Sequence, residues 1–277
     1  VGVVPLQAML DAGRYFLHKQ QRSTGISDEE IIKIAVKSMG LDELYPFEPK
    51  KKIIEYILEG ENAHPLTGMT VRGFVEETAS ESPAPGGGSV SAAIGALGAA
   101  LGTMVANLSA HKPGWDSRWR EFSDWADRGK QYVDQLLQLV DADTQAFNGI
   151  MEALGMPKGS EEEKQARHEA LQAATRRATE VPAQIMRVCC ASMEVMAAMA
   201  KSGNPASVSD AGVGALAARA GVLGAFLNVQ INAPSLEDTA YVKSLLEEGA
   251  ELVEKANRLE GEILAKTREV MEERAKK

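Results

Sequence analysis

Histidine and cysteine are too sparse and too scattered in this chain to build a zinc site. His18, His64, His111 and His168 never fall three or four residues from one another or from a cysteine. No G-x-S-x-G elbow and no cysteine–histidine pairing in sequence context is present, so covalent catalysis has no candidate nucleophile. The chain also lacks an extended basic run. With a net charge of -9 there is little to neutralise phosphates, which excludes nucleic acid as the main partner. The first residues, VGVVPLQAMLDAG, carry no basic segment, no signal cleavage site and no initiator Met, and read as a chain entered in mid-domain. Alternating strand-like runs are nearly missing after residue 5, so the expected fold is all-α.

What the chain does hold is helical periodicity in a soluble composition: 44% hydrophobic over 277 residues, enough for one large domain or two. Pro5 opens a first helix through Leu6, Leu10, Phe16 and Leu17, ending before Thr24 and Gly25. Ser27 and Glu30 form a capping box for a second, Asp28 to Met39, which Gly40 terminates. Pro49 starts a third through Ile53, Ile54 and Ile57. The turn-rich stretch Glu59 to Gly68 is the expected domain boundary. Beyond it come a short helix, Val71 to Thr78, and a long amphipathic one, Trp115 to Leu154, striped by Trp125, Tyr132, Leu136, Leu139 and Phe147. Ser160 with Glu163 caps the next, which runs towards Ala200 with a kink expected at Pro182. Ala211 to Asn228 follows, and Ser235 with Asp238 is expected to cap the last helix. Cys189 and Cys190 sit in an apolar helical stretch and read as buried free thiols of a reducing compartment.

The most informative stretch is SPAPGGGSVSAAIGALGAALGTMVANLSA, Ser82 to Ala110. Three glycines let backbone approach a ligand, and the free N–H groups of a helix start offer donors to an anion or a polar heterocycle. Gly95, Gly98 and Gly102 recur at three- and four-residue steps, leaving one helix face without bulk. From Ser89 to Ala110 no residue is charged, which on length alone allows a membrane span. Ala and Gly outnumber Leu, Ile and Phe and no aromatic belt flanks the segment, so a buried core helix is expected instead. A phosphate-binding P-loop is excluded because Ser89 and Val90, not Lys, follow Gly88.

Two further clusters carry polar groups in apolar settings. In LVDADTQAF, Asp141 and Asp143 are about 200° apart around a helix, so they face different ways and only one can be a site residue. A carboxyl group near apolar neighbours has its pKa raised and can exchange protons near neutrality. In GNPASVSD, Asn204 and Asp210 lie at a helix start, where capping is the ordinary role. Asn228, in the apolar LNVQIN, has no such account. A buried amide without partners costs about 1–3 kcal/mol, so it should meet the loop or a ligand.

These residues together resemble the formimidoyltransferase-cyclodeaminase family. SPAPGGGSVSAAIGALGAALGTMV, LVDADTQAF, MPKGSEEEKQAR, GNPASVSD and LNVQIN lie in the family's order over roughly residues 71 to 270. VGVVPLQAMLDAG and GLDELYPFEPKKKIIEYIL are similar to the C-terminal end of its transferase domain. The resemblance implies a remnant of an α/β transferase domain at 1–60, a linker at 61–70 and an all-α cyclodeaminase bundle at 71–277. It implies conversion of 5-formimidoyltetrahydrofolate to 5,10-methenyltetrahydrofolate and ammonia in histidine breakdown, in the cytoplasm. No transferase activity is expected, because most of that domain, with the stretch carrying its catalytic histidine, is not in this chain. Asp143 is the expected acid/base, with Asp141 second. Gly86, Gly87, Gly88 and Ser89 are expected to meet the folate through backbone N–H groups. Asn204, Asp210, Asn228 and Asn232 would hold the pterin or order the loop, and Lys158 and Arg167 would meet glutamate carboxylates. No metal and no cofactor beyond the tetrahydrofolate substrate, with or without a polyglutamate tail, is implied. A homodimer through the small-faced helix Ala92 to Gly102 is expected, with no membrane span. Methenyltetrahydrofolate cyclohydrolase and a non-catalytic helical scaffold are the competing readings.

Overall fold

The computed structural model describes residues 2–59 and 66–276. His64 and half of the 61–70 linker, residues 61–65, therefore lie outside the described residues. Two helices form first, α1 (Leu6–Lys19) and α2 (Asp28–Ser38), the second capped by the Ser27 side chain on the Glu30 N–H. They bury Met9, Leu10, Leu17, Ile31 and Ile32 against each other and against Ile53. The expected third helix is broken into α3 (Pro49–Lys52) and α4 (Ile54–Glu59). Ile53 turns extended and pairs with Val4, whose N–H donates to the Lys52 carbonyl at 2.8 Å while its own carbonyl accepts from Ile54 at 3.0 Å. A tertiary pairing of two backbone segments overrides the local helical period there.

After α5 (Val71–Thr78) the chain enters a bundle of five long helices: α6 (Gly87–Ala110), α7 (Trp119–Gly155), α8 (Glu161–Ser202), α9 (Val208–Asn232) and α10 (Thr239–Ala275). The α7 start differs from the expectation, because a 3-10 turn, Asp116–Arg118, precedes Trp119. The α10 cap also differs. Asp238 itself accepts the Tyr241 N–H, while Ser235 closes a 3-10 turn, Ala233–Ser235. A short carboxylate one residue before the helix outcompetes a hydroxyl four residues away. The Ser160–Glu163 capping box on α8 forms as expected.

Helix α6 lies among α7, α8 and α9, and its glycines are what let it. A Cβ at Gly98 would stand 2.7 Å from the Gly214 carbonyl oxygen of α9, and one at Gly102 2.9 Å from the Met196 sulfur of α8. The bare face is therefore consumed inside the chain, so a dimer contact through this helix would have to use its other face. Around it the core is built from Phe122, Leu136, Ile185 and the methionines Met186, Met193, Met196 and Met199 of α8, and Cys189 and Cys190 are buried and free. Three helical stretches, Gly87–Ala110, Glu161–Ser202 and Pro205–Ser235, are long and apolar enough to cross a membrane by length and composition. In the first two, 61% of the apolar window is buried within the bundle. Packing thus accounts for the apolar windows of these two helices.

The N-terminal unit is tied to the bundle by polar contacts. The Thr24 hydroxyl donates to Asp127 at 2.5 Å, and the Asn107 amide donates to the Gly25 carbonyl at 2.7 Å.

Candidate active site

The site begins with a helix start that has no side-chain cap of its own. Gly86 precedes α6, and its lack of a side chain leaves the first N–H groups of the helix without a local acceptor. The gap is filled from α7: the Ser89 N–H donates to Asp143 Oδ2 at 2.8 Å. The carboxylate comes so close that a Cβ at Gly88 would overlap it. The N–H groups of Gly87 and Gly88 take no acceptor among the described residues. Of the four donors expected to meet a ligand, the Ser89 N–H is occupied, Gly88 is buried against the carboxylate, and Gly86 and Gly87 line the cleft.

Asp143 lines a small cleft of about 110 Å³ together with Ala84, Gly86, Gly87, Thr144, Phe147, Ile150, Asn228 and Asn232. Burial pushes its carboxyl pKa up, and the hydrogen bonds from the Ser89 hydroxyl and N–H pull it partly back. No other titratable side chain lines the cleft among the described residues. Asp143 is therefore a partly desolvated carboxyl group placed to exchange a proton with whatever enters.

Its neighbour in the sequence does something else. Asp141 is 4% exposed and accepts the Leu66 N–H at 2.9 Å and the Thr67 hydroxyl at 2.8 Å. It anchors the chain entering the bundle and does not line the cleft. The half-turn between the two carboxylates separates an anchor from a site. Asp141→Ala is expected to destabilise the fold by about 3 kcal/mol, because the buried Leu66 N–H loses its charged acceptor. Urea unfolding should show the loss, while the rate per folded molecule stays within about threefold of the parent; a larger rate effect would return Asp141 to the chemistry.

Asn228 and Asn232 project from the last turns of α9. Asn228 donates to the Gly224 carbonyl of its own helix at 2.9 Å and lies beside Gly87, leaving its Oδ1 on the cleft. Asn232 has a cause that lies on another helix. Pro182 has no N–H to give to the Ala178 carbonyl one turn earlier, and that carbonyl accepts the Asn232 amide at 2.8 Å instead. The proline in α8 and the asparagine ending α9 are one structural device.

The other expected binding residues are not brought here. α6 and α9 run antiparallel, with Gly87 beside Asn228 and Gly98 beside Gly214, so the start of α9 lies at the far end of α6. There the Asn204 N–H donates to the Ser109 hydroxyl at 2.7 Å, about 33 Å from Gly87 by the rise of a helix, and its side chain caps Ala206. Asp210 is in the first turn of α9 at that same end. Of the two roles expected for them, pterin contact or loop order, Asn204 fills the second, and neither residue lines the cleft. Arg167 donates to the Leu154 carbonyl at 3.3 Å and closes the α7–α8 turn, and Lys158 is exposed in that turn. Neither lines the cleft. Thr144, Phe147 and Ile150 were not singled out as site residues, although Phe147 and Ile150 stand four and seven residues after Asp143, on its helix face. No group of three His, Cys, Asp or Glu able to hold a metal occurs among the described residues.

Comparison with known proteins agrees with this arrangement of motifs. The sequence profile described as formiminotransferase-cyclodeaminase matches residues 70–251, and that of the formiminotransferase domain matches residues 1–59. The chain is 37% identical to the formimidoyltransferase-cyclodeaminase of Mus musculus over 256 residues, covering 90% of this chain and 47% of that protein. It is 36% identical to that of Dictyostelium discoideum, covering 99% and 50%. The chain thus spans about half the length of these relatives. It is also 37% identical to the methenyltetrahydrofolate cyclohydrolase of Methylorubrum extorquens, covering 70% of this chain and 93% of that one. Among solved structures, formiminotetrahydrofolate cyclodeaminase from Thermotoga maritima superposes with a TM-score of 0.65 at 27% identity, over 74% of this chain and 98% of that one. With a profile matched across most of the bundle and the glycine junction, DAD and LNVQIN motifs converging on one cleft, the chain belongs to the formiminotransferase-cyclodeaminase family.

Proposed function

We propose that this chain is a formimidoyltetrahydrofolate cyclodeaminase, acting in the folate chemistry of histidine degradation. The observation that carries the reading is Asp143, the one ionisable group among the described residues on a cleft built at the glycine-rich start of α6. In the reaction N10 of the folate bonds to the formimidoyl carbon and loses its proton, and the amino group on that carbon gains a proton and departs as ammonia. One proton moves from N10 to the leaving nitrogen. Asp143 takes it and gives it back, so a single carboxyl group suffices. The Gly86 and Gly87 N–H groups and the Asn228 Oδ1 offer donors and an acceptor to the polar edge of the folate, with Phe147 and Ile150 against its apolar parts.

The cleft is smaller than the roughly 300–1,000 Å³ of a drug-sized ligand site, so in this reading it receives the reacting edge of the folate while the remainder lies outside. A second copy of the chain is part of the same proposal. The support is an exposed apolar stripe on α6, Leu97, Met104 and Leu108, beside Val213 and Leu216 of α9. Leu97→Glu combined with Leu108→Glu is expected to yield monomers in sedimentation velocity where the parent sediments as a dimer or larger. A parent that is itself monomeric at micromolar concentration would remove the second copy from the reading. A cytoplasmic location and independence of any metal or further cofactor belong to the same proposal. An enzyme that loses its rate on dialysis against chelator would remove the latter.

A second reading has one observation behind it, the similarity to a methenyltetrahydrofolate cyclohydrolase over nearly all of that protein. One experiment separates the two. The purified chain is mixed with 5-formimidoyltetrahydrofolate, and methenyl absorbance and ammonia are followed together. Their joint appearance supports the cyclodeaminase. Consumption of added methenyltetrahydrofolate with no ammonia from the formimidoyl substrate would move the assignment to the cyclohydrolase.

A further inference from the structure

The Ser89 hydroxyl is within reach of more acceptors than it has protons. The residue is fully buried, and its Oγ lies 3.0 Å from the Val140 carbonyl, 3.1 Å from Asp143 Oδ2 and 3.2 Å from the Thr144 hydroxyl. Its single hydrogen can point to the Val140 carbonyl or to Asp143, not to both. Charge decides between two acceptors at nearly equal distance, because a hydrogen bond to a carboxylate is about twice as strong as one to a neutral carbonyl. With Asp143 ionised the hydroxyl points to Oδ2; with Asp143 protonated it can turn to Val140, and no heavy atom has to move.

The two oxygens of Asp143 are thereby made unequal. Oδ2 faces two donors of Ser89, the N–H at 2.8 Å and the O–H at 3.1 Å. Oδ1 accepts from no described residue, yet it is not among the buried polar atoms left without partners, so it is open to the cleft. Among the described residues, the other elements around the cleft present no charge that would compete: α7 offers Thr144 and Phe147, α8 Ala178, and α9 Asn228 and Asn232. Asp141 is turned away onto Leu66 and Thr67.

We propose that Ser89 is the positioning residue of this site: its N–H and hydroxyl hold Asp143 Oδ2, so that Oδ1 is the oxygen that takes and returns the substrate proton, and the hydroxyl rotates between Asp143 and the Val140 carbonyl as that proton comes and goes. Ser89 is thus removed from the folate contacts and placed behind the base. The inference rests on the proposed cyclodeaminase reaction for its substrate, but the pairing itself does not need turnover to be seen.

The test is Ser89→Ala, with Ser89→Thr as the variant that keeps the hydroxyl. The Asp143 carboxyl is titrated by carbon-13 NMR without substrate, and pH–rate profiles are recorded with 5-formimidoyltetrahydrofolate. Removing a hydrogen bond to the charged form raises the pKa, so the Asp143 titration is expected to move up by about one pH unit in Ser89→Ala. The acid limb of kcat should move with it and KM should change less than twofold. Ser89→Thr, if it melts within a few degrees of the parent, should restore both. An unshifted titration in Ser89→Ala overturns the proposal, and so does a loss confined to KM, which would make the hydroxyl a substrate contact. A shifted titration in a chain that shows no turnover at all would uphold the pairing and overturn the cyclodeaminase reading instead.

Discussion

Asp143→Asn is expected to lower the rate of ammonia and methenyl formation by about a thousandfold while leaving the fold intact, in line with the roughly 10²–10⁴ that a positioned acid/base contributes. The amide oxygen of the variant can still accept the Ser89 N–H, so the cap on α6 survives. What is lost is the proton acceptor. Burial raises the carboxyl pKa of Asp143 in the folded chain, so the fold binds that proton more tightly than the unfolded chain does. The linkage follows in sign: this carboxyl favours the fold below the ordinary carboxylate pKa, and the contribution is lost as pH rises through the raised value. At pH 7 the variant gives up no stability from that source. Its melting temperature should stay within about 3 °C of the parent, the shift that ~1 kcal/mol produces in a chain of this size. A near-parental rate would sink the assignment of Asp143. A lost rate accompanied by a much lower melting temperature would make it a structural cap and nothing more.

Gly88→Ala is expected to be the most damaging single methyl group in the site. A Cβ there would overlap the Asp143 carboxylate, and the obstacle is the functional group itself rather than the end of a flexible chain. Either the carboxylate moves away, losing both Ser89 hydrogen bonds, or the start of α6 is displaced from α7. The first outcome removes the proposed acid/base from its place, and the second opens the packing between two core helices. A fall in kcat of about a hundredfold is expected, because misplacement by about 1 Å can cost that much. A stability loss of about 1–3 kcal/mol should accompany it, the usual cost of overpacking. Both are read from the pH 7 rate and from urea unfolding. The control is Gly86→Ala, where a Cβ would meet nothing within 4 Å and the backbone is extended. That variant should fold as the parent does. A Gly88→Ala enzyme with parental rate and stability would show that the carboxylate is not held where the structure places it.

The positions of these residues were unequally legible in the sequence. The capping box at Ser160, the cap at Ser27 and the long apolar period of α7 are local signals, and each produced the expected helix. The break at Ile53 was not legible, because it depends on Val4, about 50 residues earlier, bringing its backbone alongside. The alternation in DAD told that Asp141 and Asp143 face apart, but not which faces a cleft. That depends on Leu66 and Thr67 lying against one side of α7 and Ser89 against the other. Asn204 and Asp210 seemed to belong with the glycine junction only while the direction of α9 against α6 was unknown.

The sequence by itself therefore determined the long helices, the caps at Ser27 and Ser160, the close-packing face of α6 and the presence of a carboxylate–glycine–amide set, all of which follow from short-range spacing and side-chain size. The tertiary structure alone decided which carboxylate became the anchor and which lies on the cleft, why Asn232 answers Pro182, and which pole of the bundle holds that cleft. Those choices are made by contacts between residues far apart in the chain, and no local period encodes the direction in which one helix lies against another.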